Sequence, residues 1–277
     1  MRQRINVSRV RSLFISDVHL GTSACHAESL LDFLLCYEAE TIYLVGDIVD
    51  GWRVRPQCPW PESHLAVVAE LLARARRGVR IVYVPGNHDE YVRKFAGLTV
   101  GGIEVALTVI HETADGRRYL VLHGDQFDRV VQRLPLVALF GNWAYRASLL
   151  VNRVAGPRCR FGLYCRAISI RAKLAIRAVT DSFSHSEQSL VGEAVRHGVD
   201  GIICGHTHQA ADSSLHGIHY VNTGDWVESF TGVVEDLDGR LAIARWVPLA
   251  HSEKAGHPIL QPGGDRPLEG REAELAA

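Results

Sequence analysis

Val45-Gly46-Asp47-Ile48-Val49-Asp50-Gly51 is the stretch on which the fold turns. A short apolar strand, Thr41 to Val45, leads straight into two carboxylates three residues apart. One such turn is common at strand ends; its meaning comes from four companions. Asp17-Val18-His19 lies 30 residues before Asp47, Gly86-Asn87-His88-Asp89 follows 40 after it, His123-Gly124-Asp125 comes 36 later, and Gly205-His206-Thr207-His208 closes the series. Each block follows a β-branched or Leu-rich run: Leu13-Phe14-Ile15, Ile42-Tyr43-Leu44-Val45, Ile81-Val82-Tyr83-Val84, Tyr119-Leu120-Val121-Leu122 and Ile202-Ile203-Cys204. Such runs are the pattern of strands buried on both faces. Five of them delivering Asp, Asn or His at their C-terminal ends imply a metal site on one edge of a sheet.

Between the blocks the chain alternates strand and helix. His26 to Glu40 carries Leu30, Leu31, Leu34 and Leu35 at helical spacing, and Glu62 to Arg77 is amphipathic and stopped by Gly78. Trp52 to Pro61 holds three prolines and reads as a loop beside the site. The β-α-β-α-β order predicts parallel strands with crossover helices, whose ligands bind outside the carboxyl ends of the strands. Gly101 to Ile110 and Arg117 to Leu122 read as paired strands around a turn at 113–116, and Gly217 to Asn222 and Arg240 to Trp246 as later strands of a more antiparallel layer. Residues 1–10 read as a polar lead-in and 249–277 as a flexible tail.

Composition narrows the function classes. With 47% apolar and 22% charged residues, the 277-residue chain has the make-up of a soluble globular protein. A net charge of -1 gives no overall field for nucleic acid, which is not expected as a partner. Six cysteines without CxxC spacing suit reduced thiols in the cytoplasm. Neither an export signal nor a membrane span is expected, since no apolar run reaches about 18 residues.

Asp, Asn and His without thiolate suit Mn²⁺, Fe, Zn²⁺ or Mg²⁺ rather than a structural Cys-zinc site. A pair of such ions activates water at neutral pH and neutralises a phosphoryl group. Asp47, between the other blocks in sequence, is the natural bridging carboxylate.

The series Asp17-x-His19, Gly46-Asp47-x-x-Asp50, Gly86-Asn87-His88-Asp89, His123 and Gly205-His206-Thr207-His208 resembles the calcineurin-like metallophosphoesterase superfamily over roughly residues 11 to 246. The resemblance implies an α/β fold, a four-layer α-β-β-α sandwich, with two divalent ions at the sheet edge. By motif, Asp17, His19, Asp47 and His208 would hold one ion, and Asp47, Asn87, His123 and His206 the other. His88 would stabilise or protonate the departing oxygen, with Asp50 orienting it.

The 82 residues between His123 and His206 exceed any single strand connection. From Arg129 to Thr180 there are ten cations and no acid, a local charge of +10 that leaves -11 for the rest of a chain totalling -1. The stretch is also apolar and reads as two helices around Gly156-Pro157, a helical cap over 128–180 inserted between core segments 1–127 and 181–248. Arg166, Lys173 and Arg177 fall within about 40° of one another on the second helix. A cationic stripe beside an apolar face is the pattern of a helix lying on anionic lipid; a solvated hairpin face and RNA binding are the alternatives.

Ser16 to Gly21, the Gly46 to Trp52 block, the cap and Asn222-Thr223-Gly224-Asp225-Trp226 further resemble the UDP-2,3-diacylglucosamine diphosphatase group of lipid A biosynthesis. That resemblance implies Mn²⁺, a nucleotide-linked lipid substrate cleaved to UMP and 2,3-diacylglucosamine 1-phosphate, and peripheral attachment to the cytoplasmic face of the inner membrane. Well-known members of that group have Arg where this chain has His88. Two other readings are a phosphodiesterase or phosphatase on another substrate, and a non-catalytic scaffold. Gly51-Trp52 departs from the Arg-Gly that continues GDxxD in protein Ser/Thr phosphatases, and retention of every ligand position argues against the scaffold.

Overall fold

The computed structural model describes residues 7–52, 60–127, 188–249 and 252–261. It divides the chain into two compact units, one of Met1–Gly124 with Glu193–Ala277 and one of Asp125–Gly192. The cap expected over 128–180, with Arg166, Lys173 and Arg177, lies outside the described residues, as does 53–59 of the Pro-rich loop.

The first unit contains two mixed sheets. Strands β1 (Ser8–Ile15), β2 (Tyr37–Val45), β3 (Arg80–Val84), β4 (Thr99–Val100), β5 (Ile103–Val105), β11 (Thr231–Glu235), β12 (Leu241–Leu249) and β13 (Ser252–Gln261) form one, in the order β13-β12-β11-β1-β2-β3-β5-β4. The other runs β6-β7-β8-β10-β9 and uses β6 (Val109–Glu112), β7 (Arg118–Val121), β8 (Gly201–Cys204), β9 (Ala211–Leu215) and β10 (Ile218–Asn222). β1, β2 and β3 are parallel neighbours, and so are β7, β8 and β10.

Alternation of side chains explains the layers. Leu13, Ile15, Ile42, Leu44 and Ile81 pack in one core with Leu30, Phe33 and Leu34 of helix α1 (Ala27–Leu35) and Val67 and Leu71 of helix α2 (Glu62–Arg76). Phe14, Tyr43, Val45, Val82 and Val84 point the other way, into a second core shared with Tyr119, Val121, Ile203 and Val221 of the smaller sheet. Both faces of the central strands are therefore dry, which is why they read as continuous apolar runs.

Several boundaries differ from the sequence expectation. The helix expected to reach Glu40 stops at Leu35, because the buried Arg74 of α2 donates to Leu34 O at 2.6 Å and Tyr37 O at 2.8 Å and so caps its last turn. Tyr37 to Glu40 instead extend β2 through pairing with Ser8–Val10, which are strand rather than lead-in. The single strand expected over 101–110 is split: β5 stays in the larger sheet, and β6 crosses to the smaller one and forms a hairpin with β7. Past the expected start of the tail, Ser252–Gln261 forms edge strand β13 against β12.

Candidate metal centre

Six strand ends, three from each sheet, converge on one edge. Asp17 and His19 follow β1, Asp47 and Asp50 follow β2, and Asn87 and His88 follow β3. His123 follows β7, His206 and His208 follow β8, and Asp225 follows β10. The loops interlock through the backbone: Asp17 N–H donates to Gly46 O, Val18 and His19 N–H to Asp47 O, and Gly205 N–H to His123 O, all within 2.9 to 3.1 Å.

Turning at these ends requires strained backbone. Asp17, His19, Asp47, His206 and His208 have φ of 50°, 54°, 54°, 71° and 59°. That left-handed region costs of order 1 kcal/mol or more for a non-glycine residue and is tolerated where the surroundings over-determine it. Gly86 is demanded by crowding instead, since a Cβ there would run into the Asp47 carboxylate and the His123 ring.

Among the described residues, three groups of side chains bring their ligand atoms within 4.8 Å of one another: Asp17, His19 and His208; His19, Asp47 and His88; and Asp17, Asp47 and His123. His208 Nε2 lies 3.4 Å from Asp17 Oδ1, and His123 Nε2 3.4 Å from Asp47 Oδ2. The first group falls within one of the ligand sets expected from the sequence, whereas the third joins Asp17, expected on the first ion, to the shared Asp47 and to His123, expected on the second. His88 also differs: expected as an acid beside the ions, it lies close enough to His19 and Asp47 to join them. His206 donates its N–H to Asp17 Oδ2 at 2.9 Å, and its ring meets that of His123 edge-on at 5.2 Å.

Whether these residues suit cations is tested by their unsatisfied atoms. Asp17 Oδ1, His19 Nε2 and Asn87 Oδ1 are buried and have no hydrogen-bond partner among the described residues. Leaving such groups unpaired costs about 1–3 kcal/mol each, and coordinated divalent ions remove that cost. The donor set is oxygen and imidazole nitrogen, suited to hard-to-borderline metals. The residues fit.

Electrostatics agree. Burial opposes the charge of Asp47, yet His123 and the N–H and ring of His88 more than offset it and hold the carboxyl well below its usual range. Burial lowers His19, keeping its imidazole neutral and able to ligate. His123 Nδ1 sits 2.8 Å from Val45 O, a carbonyl that can only accept, so Nδ1 carries the proton and Nε2 faces Asp47. Asp50 Oδ2 lies 3.2 Å from His88 Nδ1 and 3.6 Å from His19 Nδ1. The Trp52 ring tilts over His88 with centroids 4.0 Å apart.

Two carboxylates had no role in the sequence reading. Asp89 is fully buried and accepts from Ile48 N–H at 2.8 Å, Gly86 N–H at 2.6 Å and Tyr83 Oη at 2.5 Å, tying the Gly86 turn to the Gly46 turn. Asp225 accepts from His208 Nδ1 at 3.0 Å, so that Nε2 is aimed at Asp17. Burial opposes the Asp225 charge, but His208 and the N–H groups of Ser229 and Glu228 hold the carboxyl far below its usual range. A sequence signal for Asp225 existed: Val221-Asn222-Thr223-Gly224-Asp225 repeats the strand-then-Gly-Asp form of Val45-Gly46-Asp47.

Residues 10–210 match the family model described as calcineurin-like phosphoesterase. The chain belongs to this family. Among curated relatives of this calcineurin-like phosphoesterase, the UDP-2,3-diacylglucosamine hydrolase of Xanthomonas campestris pv. campestris is 30% identical over 82% of the chain and 96% of its own length. That of Salmonella dublin is 27% identical over 74% of the chain and 84% of its own. The DNA polymerase II small subunit of Methanothermobacter thermautotrophicus is 24% identical, and the chain spans only 46% of that protein. Among solved structures, Vps29 of Chaetomium thermophilum superimposes with a TM-score of 0.47 at 12% identity, covering 90% of this chain and 95% of its own.

Proposed function

We propose that this phosphoesterase hydrolyses the pyrophosphate of UDP-2,3-diacylglucosamine, or of a closely related nucleotide-linked lipid, to UMP and a lipid 1-phosphate. The observation that carries the reading is Asp47, set between His123 Nε2 at 3.4 Å and the His88 ring at 4.0 Å, with Asp17 in reach of the same cluster. A relative named for that substrate aligns over nearly its whole length.

Asp17, His19, Asp47 and His208 would hold one divalent ion and Asp47, Asn87, His123 and His206 a second, Mn²⁺ by resemblance. Bound there, the pair supplies charge neutralisation for the phosphoryl group and a nucleophile at neutral pH. His88, 23% exposed, would give a proton to the departing oxygen, with the buried Asp50 carboxylate 3.2 Å from its Nδ1 orienting the ring. Attack at the phosphorus joined to uridine leaves UMP and expels the lipid phosphate, and His88 then regains its proton from solvent.

His88 also favours a second reading. Where well-known diphosphatases of this group have Arg, an imidazole gives up the bidentate grip on phosphate that a guanidinium has. That suits a smaller phosphodiester substrate. The protein would work at the cytoplasmic face of the inner membrane, attached peripherally; no helix among the described residues is long and apolar enough to cross a bilayer.

The test is incubation of Mn²⁺-loaded protein with UDP-2,3-diacylglucosamine and mass-spectrometric detection of UMP. UMP formation that disappears in Asp47→Ala supports the reading. Absence of UMP alongside hydrolysis of bis(p-nitrophenyl) phosphate replaces it with the second one.

A further inference from the structure

Trp52 directly follows the Gly46-Asp47-Ile48-Val49-Asp50-Gly51 turn, and its indole has no part in holding the ions or in the proton transfer. The side chain is 61% exposed, so its own burial does not account for where it lies. A single exposed tryptophan is ordinary; this one is set against a polar ring rather than against the core. Its indole lies over the His88 imidazole, with centroids 4.0 Å apart and planes 33° from parallel. The backbone puts it there. Gly51 N–H donates to His88 O at 2.9 Å, and a Cβ on Gly51 would run into that oxygen and into the Tyr91 ring. Glycine lets the two turns meet this closely, and the next residue is thereby delivered to His88.

Hydrogen bonding does not fix the plane of the imidazole. Asp50 Oδ2 is 3.2 Å from Nδ1, yet Nδ1 makes no hydrogen bond among the described residues. That carboxylate draws one edge of the ring inward and leaves its tilt open. Asp47 Oδ2 is 4.0 Å from Nε2, beyond hydrogen-bond reach, and the His19 ring meets His88 edge-on with centroids 4.6 Å apart. The partly exposed side chain therefore has room to turn about its Cα–Cβ bond. Stacking of two rings shifts such a rotamer equilibrium by roughly two- to tenfold.

We infer that Trp52 is a positioning residue for His88, its indole holding the imidazole with Nε2 toward Asp47 and the departing oxygen. The inference rests on the reading of His88 as proton donor and extends it to a second residue. In that step the oxygen of the attacking water bonds to phosphorus, the bond to the leaving oxygen breaks, and that oxygen takes the His88 proton. Displacing the donor by about 1 Å costs up to about 10²-fold in rate.

The experiment compares the p-nitrophenyl and phenyl esters of thymidine 5′-phosphate as substrates of the full-length, Mn²⁺-loaded protein. p-Nitrophenolate departs as the anion and gains little from an acid; phenolate is the stronger base and gains much. Trp52→Ala lowers kcat for the phenyl ester by about tenfold or more, and for the p-nitrophenyl ester by less than about threefold, with KM little changed. Trp52→Phe, which restores a ring, stays within about threefold of wild type on both. Added to His88→Ala, Trp52→Ala costs nothing further. A second readout needs no metal. In metal-free protein the His88 ring protons lie in the ring current of the indole, and their NMR resonances move in Trp52→Ala while circular dichroism stays that of wild type. Unmoved His88 resonances overturn the inference. So does a Trp52→Ala loss that is equal on both esters, is carried by KM, or adds in full to that of His88→Ala; each of these leaves His88 as the donor. If His88→Ala itself slows both esters equally, the donor reading falls and this inference falls with it.

Discussion

Asp89→Asn isolates what holds two of the metal-site turns together. The Asp89 carboxylate accepts from Ile48 N–H, Gly86 N–H and Tyr83 Oη at 2.5 to 2.8 Å, with Val49 N–H further away at 3.4 Å. Asparagine keeps the shape but replaces one oxygen by a donor. Whichever way the amide sits, its NH₂ faces a donor, the Gly86 N–H in one flip and the Ile48 N–H with Tyr83 Oη in the other. The loss is a charge-assisted hydrogen bond worth about 1.5–3 kcal/mol and a stranded buried donor worth about 1–3. Burial already lifts the Asp89 carboxyl above its usual range, so the neutral amide recovers part of that desolvation. The net expectation is a destabilisation of about 2–4 kcal/mol, a fall in melting temperature of roughly 5–15 °C for a chain of this size.

The assay is urea unfolding of metal-free protein followed by circular dichroism. Tyr83→Phe serves as comparator, because it removes one donor and leaves the carboxylate its backbone partners; it costs about 1 kcal/mol. In the double variant the two losses are less than additive, since both act on Asp89 Oδ2. A loss below about 1 kcal/mol for Asp89→Asn, at unchanged urea dependence, would show that the turns are held by their other backbone bonds and refute the reasoning.

Four further expectations follow from the site and the fold. Asp47→Ala abolishes hydrolysis and lowers bound metal, read by elemental analysis of the purified protein; retained activity above a few per cent of wild type would place the chemistry elsewhere. His88→Ala keeps its metal while turnover falls roughly 10²-fold, the usual scale for a lost general acid, whereas loss of metal would make His88 a ligand, which its closeness to His19 and Asp47 allows. Asp225→Ala frees the His208 ring and weakens metal affinity by about 10- to 100-fold, measured by competition with a chelating dye; unchanged affinity would show that Asp225 only braces its own turn. The last concerns acid stability. Burial pushes Glu235 up, but hydrogen bonds from His111, Ser12 and Ala114 N–H outweigh it and hold the carboxyl below its usual range. A depressed carboxyl stabilises the fold above the unfolded value, and that contribution fades as pH falls through the folded value. Glu235→Gln therefore flattens the fall of the urea midpoint below about pH 4.5; a parallel fall in both proteins would contradict the shift.

The sequence was most legible where physics forces local signals. β1, β2, β3, β7 and β8 are buried on both faces or at the sandwich centre, so their runs had to be apolar, and the polar residues at their ends stood out against them. β9 (Ala-Asp-Ser-Ser-Leu) and β11 (Thr-Gly-Val-Val-Glu) gave no such signal, because their place comes from pairing with β10 and β1 rather than from their own composition. β13, with Pro258 inside it, is an edge strand, the position in a sheet where proline is admissible. The site shows the same division. The candidate ligands could be read as Asp, Asn and His at strand ends, and Val221 to Asp225 carried a signal of the same form, but the partners of Asp89 and Asp225 needed coordinates. Their function lies in which N–H they accept, and that depends on where two loops far apart in sequence meet. Asp225 reaches His208 only because β8 and β10 are parallel neighbours, with Asn222 opposite Cys204. That pairing is thus what aims an imidazole at Asp17. The register of the smaller sheet is part of the candidate metal centre, and a one-residue slip of β10 would dismantle it before any candidate ligand was changed.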